Sequence, residues 1–359
     1  MKNLKIGKKT IGIDKPTYFI ADIAANHDGD LKRAKHLIYL AAEMGADAAK
    51  FQNFKANKIV SDVGFRKLGD QLSHQAKWKK SVFEVYKDAS INPDWTSILK
   101  TTCDDAGIEY FTSPYDFDSV DTVDPYVNVH KIGSGDITWP EILTHIAKKG
   151  KPVILSTGAS ELYEIKRAMK TLEKETKKMV LLQCNTNYTG SLENFKYINL
   201  QVLDLYKKLF PGVILGLSDH TPGHATVLGS VAMGARVIEK HFTDDNDRVG
   251  PDHPFSMNPK TWKDMIDRTR ELEAAMGDGL KKLEKNEKQS VTVQRRSLRA
   301  THDLEIGKKL VGKDLEALRP IPTGAIEPYE RPRLMGKKLL LPLKFGEAIT
   351  WKHVRTKKD

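Results

Sequence analysis

The stretch VILGLSDHTPGHATVLGSVAMGARVIEKHFTDDNDRVGPDH, residues 213–253, contains two apolar runs that each end close to a histidine. The first run is followed by Ser218-Asp219-His220, and the second leads into Glu239-Lys240-His241. The segment between them is rich in small residues, which predicts a helix packed closely against both strands. A strand, helix, strand order predicts parallel strands whose carboxyl ends lie side by side. We therefore expect His220 and His241 to be neighbours.

The same alternation extends through the first three quarters of the chain. One amphipathic segment has a helix cap at Asp30 and ends near Gly45, which predicts a helix between them. Eight apolar runs occur, at residues 18–25, 48–54, 108–115, 127–135, 151–158, 179–188, 213–220 and 236–243. Eight buried parallel strands separated by helices predict a (β/α)8 TIM barrel of the α/β class. A doubly wound open sheet alternates in the same way, but only a barrel brings all the polar strand ends to one mouth.

The pattern changes near residue 277. Residues 1–277 are predicted to form the catalytic barrel, and the charged segment 278–294 is predicted to be a linker because it lacks a strong apolar period. Residues 295–359 contain short β-like pieces broken by glycine and proline, which predict a small β-rich domain. A domain of this size lies near the lower limit of independent stability, so we expect it to dock on another surface.

Composition narrows the class of protein. The formal net charge is +11, but the lysines are interleaved with glutamates and lack aromatic neighbours, which favours a solvated surface over a nucleic-acid interface. The chain has no apolar run of membrane-spanning length, and its first residues lack the apolar core of a signal peptide. We therefore expect a cytoplasmic protein with no membrane partner. The two cysteines, Cys103 and Cys184, argue against a disulfide framework.

The two histidines at the strand ends suggest a metal site. Neighbouring imidazoles can share one divalent cation, and two protein ligands leave positions open for water and substrate, as in catalytic sites. Mn²⁺ and Mg²⁺ both suit such a site. Asp219 and Glu239 are predicted to orient the histidines that follow them. The alternative is that each histidine is an ordinary hydrogen-bonding group of the core. His224 and His253 are weaker ligand candidates, and we expect His224 to be structural and His253 to shape its loop.

Several ordered motifs resemble the sialic acid synthase family. They are FIADIAANHDGDLKRAKHLIYLAAEMGADAAKFQNF, HKIGSGDITWPEIL, GKPVILSTGAS, LGLSDHT, GARVIEKHFT and GPDHPFSMNP. The segments RRSLRATHDLEIGKKL and LRPIPTG resemble the antifreeze-like (SAF) domain that follows the barrel in that family. The resemblance implies a transferase that forms a C–C bond between phosphoenolpyruvate and a 2-acetamido sugar aldehyde, giving a nonulosonic acid and phosphate. It also implies a homodimer with a domain-swapped C-terminal domain.

Phosphoenolpyruvate carries a phosphate and a carboxylate, so its pocket requires cations and neutral donors. A lysine on a buried strand is costly unless it meets an anion, which makes Lys50 and Lys131 the first candidates. The complete set of predicted substrate-binding residues is Asp22, Lys50, Gln52, Ser113, Lys131, Ser134, Ser156, Thr186, Tyr188, Ser218, Asp252 and Arg319. By resemblance, Arg319 of one subunit contacts the N-acyl group of the sugar in its partner.

The implied chemistry gives roles to three predicted catalytic residues. His220 and His241 hold the cation that polarises the sugar aldehyde. Glu239 handles a proton or orients the site, and the alternative for Glu239 is an ion pair with Lys240 or Arg248.

The sequence also departs from the family pattern. Asp22-Ile23-Ala24 stands where the family usually has Glu-Ile-Gly, and Gln183 and Thr189 replace a histidine and a proline. We predict that these changes lie at the sugar end of the site. They leave two acceptors open, N-acetylmannosamine and a 2,4-diacetamido-2,4,6-trideoxyhexose.

Two other functions are compatible with parts of the sequence. A related synthase acting on a phosphorylated sugar needs an additional basic pocket, which Arg66, Lys67 and Lys77 can supply. A non-catalytic sugar-binding protein has no need of Lys50, Lys131 and the two histidines, so those residues argue against it.

Overall fold

The computed structural model describes residues 3–69, 75–76 and 78–354, and it divides into two compact units, residues 1–277 and 278–359. The described strands of the first unit are β1 (Leu4–Ile6), β2 (Lys9–Ile11), β3 (Tyr18–Asp22), β4 (Ala48–Asn53), β5 (Glu109–Pro114), β6 (His130–Ile132), β7 (Val153–Ser156), β8 (Met179–Cys184), β9 (Ile214–Asp219) and β10 (Val237–His241). Its described helices are α1 (Leu31–Glu43), α2 (Ala56–Ile59), α3 (Asp62–Lys67), α4 (Val82–Ala89), α5 (Trp95–Asp105), α6 (Phe117–Val123), α7 (Pro140–Ala147), α8 (Leu162–Glu173), α9 (Val202–Leu209), α10 (Ala225–Ala232) and α11 (Pro259–Met276).

Strands β3 to β10 form one parallel sheet in the described part of the chain. Its hydrogen-bonded order is β5-β4-β3-β10-β9-β8-β7-β6, and the two end strands also contact each other, so the sheet curls into a barrel. Each strand lies within one of the eight predicted runs. The predicted α/β barrel is therefore confirmed.

Alternation along the strands separates two cores. Side chains of successive strand residues point to opposite faces, so every second residue enters the barrel. On β10, Val237 packs inside the barrel with residues such as Ile20 and Phe111, whereas Ile238 packs outside against the helices. The strands are buried on both faces because helices cover the outer one, which explains the continuous apolar runs in the sequence.

An N-terminal hairpin closes the lower end of the barrel. β1 and β2 pair antiparallel, and Leu4, Ile6 and Ile11 join the interior core. This hairpin was not predicted from the sequence, because its two strands contain only three residues each.

Helix boundaries follow the capping signals in the sequence. The Asp30 side chain accepts hydrogen bonds from the backbone amides of the first turn of α1, as predicted. The same helix ends at Glu43 and is capped by Met44. Gly45 follows with a φ of 90°, which suits the left-handed C′ position, and Ala46 N donates to Ala41 O across the cap. In α10, a Cβ added at Gly229 would lie 2.7 Å from Leu200 Cδ1, so the small residues there permit close packing.

The second unit is small and rich in short β elements. Its described α-helices and β-strands are α12 (Lys288–Gln294), β11 (Ser297–Ala300), β12 (Leu315–Leu318) and α13 (Arg331–Leu334). β11 and β12 pair antiparallel over a core that includes Leu298, Leu310 and Ile349. The predicted linker, residues 278–294, contains helix α12. None of the helices in the described part of the chain combines the length and apolar character needed to cross a membrane.

Candidate active site

A polar layer lies above the apolar core at the carboxyl ends of the strands. On β4 the inward positions run from Ala48 in the core to Lys50 and Gln52, and on β10 they run from Val237 to Glu239 and His241. The layer surrounds a cavity of about 340 Å³. The predicted residues that line it are Asp22, Lys50, Gln52, Ser113, Lys131, Ser134, Ser156, Tyr188, Ser218, His220, Glu239 and His241.

Lys50 is held by two carboxylates. Its Nζ lies 2.6 Å from Asp22 Oδ2 and 3.7 Å from Glu239 Oε1, and its side chain is 3% exposed. Burial acts to lower the pKa of Lys50, but the charges of Asp22 and Glu239 outweigh burial and raise it above the ordinary value. Lys50 is therefore cationic at neutral pH.

Lys131 is less well compensated. Its Nζ donates to Ile132 O at 3.0 Å and lies 3.6 Å from Glu239 Oε1. Burial lowers the pKa of Lys131, Glu239 opposes that shift, and the neighbouring Lys50 reinforces it. Two ammonium groups thus share Glu239 in a buried cavity, and an anionic ligand would stabilise both.

Serine hydroxyls complete an anion-binding surface. Ser113 Oγ and Ser156 Oγ are buried and have no hydrogen-bond partner among the described residues. Ser134 Oγ accepts from Gly158 N at 2.9 Å, which leaves its proton available for donation. Unpartnered buried hydroxyls are costly, so their presence beside two lysines indicates a site built for an oxygen-rich anion.

His220 and His241 lie side by side, as predicted, with ring centroids 5.4 Å apart. His220 Nδ1 lies 2.7 Å from Asn185 O, so Nδ1 carries the proton and Nε2 presents a lone pair. His241 Nδ1 is buried without a hydrogen-bond partner and lies 3.8 Å from Asp252 Oδ2. Burial lowers the pKa of both imidazoles, and for His241 the neighbouring His220 lowers it further. Both rings are therefore neutral, as metal ligation requires.

These two rings fit an open cation site. Among residues 3–69, 75–76 and 78–354, no group of three or more histidine, cysteine, aspartate or glutamate side chains is arranged to hold a metal ion. Two neutral imidazoles fit a site that water and substrate oxygens complete. The Asn185 carbonyl fixes the His220 tautomer in the way that partners of metal-bound histidines do.

Neither of the carboxylates that precede the histidines has a described contact with the imidazole ring that follows it, so the prediction that they orient the rings directly was wrong. Asp219 points out of the barrel, where it accepts a hydrogen bond from Lys240 Nζ. Glu239 points inward, but its described contacts are with Ser218 and the two lysines. Residues adjacent on a strand face opposite sides, so Asp219 cannot share a face with its neighbour His220.

The ion-pair alternative for Glu239 was also wrong. Lys240 pairs with Asp219 on the outer face, and Arg248 Nη2 lies 2.6 Å from Asp28 Oδ2. Glu239 Oε2 is buried and has no partner within the described residues. That oxygen is an unused acceptor beside the cavity.

The other two histidines have structural contacts. His253 is buried, with Nδ1 2.7 Å from Thr243 Oγ1 and Nε2 2.9 Å from Asp28 Oδ1. His224 occupies the N-cap position of α10, and its Nδ1 lies 3.1 Å from Asp264 Oδ2 of α11. Neither histidine lines the cavity.

An aromatic recess, about 140 Å³ in volume, adjoins the cavity. It is lined by Ala25, Gln52, Phe54, Trp78, Val85, Tyr86, Ala89, Tyr115, Tyr188, His241, Pro251 and Asp252. Asp252 Oδ2 accepts from Ala25 N at 3.2 Å, and burial raises the pKa of Asp252 to about 7. Of the remaining predicted residues, Thr186 lies in the loop after β8 and lines neither space, and Arg319 belongs to the second unit.

The two departures on β8 and its loop do not lie where we predicted. Gln183 faces out of the barrel, donating from Nε2 to Ile198 O at 2.9 Å and lying 3.4 Å from the Tyr206 hydroxyl. Thr189 lies in an exposed turn and donates to Asn187 Oδ1. The prediction that Gln183 lies at the sugar end was wrong, because it sits one residue out of phase with Cys184, which does line the cavity. Asp22 is the departure within the site.

Sequence reasoning missed several lining residues. Tyr115 follows Ser113 of β5 by two positions, so strand alternation offered a signal for it, whereas Asp136 lies in a 3-10 turn after β6, where alternation does not apply. Burial raises the pKa of Asp136 to about 6, with Lys131 opposing it. Tyr86 reaches the cavity from α4, a helix in the long segment after β4, and nothing in the sequence pointed to it.

The basic residues required for a phosphorylated sugar lie elsewhere or outside the described residues. Arg66 donates from Nε to Asp62 Oδ2 at 3.0 Å within α3. Neither Arg66 nor Lys67 lines the cavity or the recess, and Lys77 falls outside the described residues.

Comparison with known proteins agrees with this geometry. The NeuB family profile matches residues 37–281, and the SAF domain matches residues 295–355. An N,N'-diacetyllegionaminic acid synthase of Legionella pneumophila is 36% identical over 98% of this chain and 99% of that protein. A pseudaminic acid synthase of Campylobacter jejuni is 33% identical over 94% of this chain and 96% of that protein.

A solved structure gives the same architecture. The N-acetylneuraminic acid (sialic acid) synthetase of Leptospira borgpetersenii, determined with citrate, superimposes with a TM-score of 0.70 and 27% sequence identity. The match covers 81% of this chain and 95% of that one.

Proposed function

This chain belongs to the NeuB family of nonulosonic acid synthases, enzymes that form a C–C bond, and we propose the substrates and roles through which it does so. In this proposal a divalent cation, Mn²⁺ or Mg²⁺, assists the condensation of phosphoenolpyruvate with an open-chain 2,4-diacetamido-2,4,6-trideoxyhexose. The observation that carries it is a single cavity containing Lys50, Lys131, unpartnered serine hydroxyls and two neutral imidazoles. The products are a nonulosonic acid and phosphate.

The lysines and serines bind phosphoenolpyruvate. Lys50 and Lys131 neutralise its anionic groups, and the Ser113, Ser134 and Ser156 hydroxyls donate to its oxygens. Binding relieves the electrostatic repulsion between the two ammonium groups and satisfies buried hydroxyls that lack partners. The enol carbon of phosphoenolpyruvate is thereby held above the polar layer, facing the neighbouring histidines.

The sugar aldehyde must become electrophilic before a weak enol ether attacks it. A divalent cation held by His220 Nε2 and His241 supplies Lewis-acid polarisation of the aldehyde oxygen when bound. The protein fixes the geometry by hydrogen-bonding His220 Nδ1 to Asn185 O. Attack by C3 of phosphoenolpyruvate on the aldehyde carbon forms the C–C bond, and the aldehyde oxygen becomes a hydroxyl by taking up a proton.

Attack leaves positive charge on C2 of the former phosphoenolpyruvate. Water then adds at C2, and Glu239 Oε2, which is buried without a described partner, accepts the proton that the water loses. The anionic cavity residues Asp22 and Glu239 stabilise the cationic carbon. The tetrahedral adduct expels phosphate by breaking the bond between C2 and the bridging oxygen, the C2 hydroxyl gives its proton to the departing phosphate, and a ketone forms at C2.

The aromatic recess and the relatives together favour the diacetamido acceptor. One relative above is named for N,N'-diacetyllegionaminic acid and the other for pseudaminic acid, and we propose a 2,4-diacetamido-2,4,6-trideoxyhexose as the precursor of such an acid. Phe54, Val85 and Ala89 line the recess, and among its described lining residues there is no lysine or arginine. These three apolar side chains suit the methyl groups of such a sugar. We propose that Asp252, which lines the recess, accepts a hydrogen bond from a sugar hydroxyl.

The oligomeric state and the cellular location that we propose for this chain are based on the family resemblance. We propose a homodimer with exchanged C-terminal domains, in which Arg319 contacts the N-acyl group, acting in the cytoplasm. Sedimentation analysis tests the dimer, and an Arg319→Ala variant should raise KM for the sugar while leaving KM for phosphoenolpyruvate unchanged.

The central test is phosphate release from phosphoenolpyruvate with Mn²⁺. N-acetylmannosamine and a 2,4-diacetamido-2,4,6-trideoxyhexose are compared as acceptors, with His241→Ala and chelator-treated enzyme as controls. We expect release with the diacetamido sugar, loss in both controls and recovery on returning Mn²⁺ to the chelated enzyme. Phosphoenolpyruvate labelled with ¹⁸O at the bridging position should transfer the label to phosphate. Label retained in the sugar acid would exclude C–O cleavage. The absence of phosphate release with both sugars would exclude the proposed reaction.

A further inference from the structure

The backbone pairing between β9 and β10 stops just before the two histidines. The last paired residues are Lys240 and Asp219, and β9 itself ends at Asp219. His241 is still paired with Asp22 on β3, so its backbone is fixed by the ladder on that side. His220 lies one residue beyond β9, outside any strand.

A buried side-chain network continues where the ladder ends. On the outer face of the barrel, Lys240 Nζ donates to Asp219 Oδ2 and, at 2.6 Å, to Thr221 O. Thr221 N donates in turn to Asp219 Oδ1 at 3.2 Å, and Thr226 Oγ1 at the start of α10 donates to Asp219 Oδ2 at 2.8 Å. The exposed fractions of the Lys240 and Asp219 side chains are 2% and 0%.

These contacts enclose His220. The residues on both sides of it, Asp219 and Thr221, are bound to one ammonium group, and that ammonium belongs to the residue immediately before His241. The position of the His220 backbone is therefore tied to the strand that carries His241. A buried ion pair is weak grounds for stability, because desolvation of both charges offsets their attraction. We therefore attribute to the Lys240–Asp219 ion pair an effect on the position of the backbone rather than on the stability of the fold.

We propose that Lys240 and Asp219 are positioning residues that set the spacing between His220 and His241, and so the affinity of that pair for a divalent cation. The inference rests on the proposed function, since it concerns the cation site described there. It assigns no contact with substrate to either residue. The pair acts through the backbone on each side of His220.

The proposal predicts a selective defect. Ser218 and Glu239 are register partners within the ladder and need no help from the network. Lys50 and Lys131 stand on β4 and β6, away from it. Loss of the ion pair should therefore weaken cation binding while leaving the phosphoenolpyruvate site intact.

The test replaces both charges with side chains of similar shape, in the double variant Asp219→Asn/Lys240→Met. The amide oxygen that takes the place of the carboxylate can still accept from Thr221 and Thr226, and no buried charge is left unpaired. A matched control is Lys9→Met/Asp47→Asn, which removes an ion pair at the opposite end of β4 from the cavity. Thermal unfolding is measured for each protein, together with the dissociation constant of Mn²⁺ by electron paramagnetic resonance and that of phosphoenolpyruvate without metal.

We expect the dissociation constant of Mn²⁺ to rise about 10- to 100-fold in the Asp219/Lys240 variant, as for other residues that orient metal ligands. The affinity for phosphoenolpyruvate should stay within about 2-fold of wild type, and the control should keep both affinities. If the double variant does not fold, Thr226→Val removes the two hydrogen bonds that the Thr226 hydroxyl makes with Asp219 and Thr221, and it should weaken Mn²⁺ binding to a smaller degree.

The outcomes separate the two proposals. The positioning role would be overturned if the folded Asp219/Lys240 variant bound Mn²⁺ with wild-type affinity. If only Thr226→Val folds, wild-type affinity in that variant would overturn it. Either result would leave the proposed cation site unaffected. An equal loss of Mn²⁺ affinity in the control would also overturn the positioning role. A wild-type chain that binds no divalent cation would instead remove the cation site itself and the positioning role with it.

Discussion

Lys50 and Lys131 should respond to the same substitution with opposite effects on stability. Both are almost fully buried, and methionine matches the lysine side chain in length without the charge. Replacing Lys50 leaves Asp22 without the cation 2.6 Å away, and removing one partner of a buried pair costs about 3–5 kcal/mol. Replacing Lys131 removes an ammonium whose pKa is lowered by burial, so its charged form weakens the fold.

Phosphoenolpyruvate affinity should fall in both variants. Each loses a hydrogen bond from a charged donor to an anion, worth about 1.5–3 kcal/mol, which corresponds to an increase in Kd of about 10- to 150-fold. The unliganded Lys131→Met protein should nevertheless unfold at or above the wild-type temperature, whereas Lys50→Met should unfold well below it. Lys131 therefore exchanges stability for binding.

The assay combines thermal unfolding without ligand at pH 7 and calorimetric titration with phosphoenolpyruvate. Lys149→Met is the matched control, since Lys149 pairs with Asp121 on the surface and should change stability by less than about 1 kcal/mol. The reasoning is refuted if Lys131→Met is destabilised as strongly as Lys50→Met, or if either variant keeps wild-type affinity for phosphoenolpyruvate.

Three other predictions concern individual contacts. Burial raises the pKa of Asp136 to about 6, so its ionised form opposes folding. The Asp136→Asn variant should therefore melt at a higher temperature than wild type at pH 8 and at nearly the same temperature at pH 4. An equal gain at both pH values would contradict this prediction. Gln183→Ala should lower the free energy of unfolding by about 1–3 kcal/mol, because Ile198 O loses its hydrogen-bond donor. The ratio of kcat/KM values for different sugars should stay unchanged. A changed ratio would show that Gln183 affects sugar recognition. Gly216→Ala should displace β10, because the added Cβ would lie 2.2 Å from Val237 O, and circular dichroism melting should show a clear loss; a wild-type melt would show that the strands can shift freely.

The site combines a polar cavity with an aromatic recess, and this division matches the two substrates of the proposed reaction. In the proposed reaction, charges and hydroxyls on and just after β4 to β7 face the anion, and the histidines just after β9 and on β10 face the aldehyde. The recess receives aromatic side chains from the segment after β4. Acceptor preference is therefore expected to change with substitutions at Val85 or Ala89 rather than with changes at the lysines.

The sequence alone determined the barrel and most of the cavity. The apolar runs marked the strands because a strand buried on both faces must be apolar throughout. Polar residues at the ends of those runs marked the mouth, since barrel closure brings all carboxyl ends together. Lys50, Lys131, His220 and His241 were identifiable for this reason, although they are distant in sequence.

Only the tertiary structure decided which face each polar residue occupies and what it contacts. Gln183 and Asp219 are adjacent in sequence to cavity residues, yet they point outward, because one position along a strand reverses the side of the sheet. Tyr86 enters the site from a helix whose packing no local pattern encodes. Periodicity identifies strands from local sequence, whereas the phase of each strand end and the partners of its side chains depend on contacts between residues far apart in the chain.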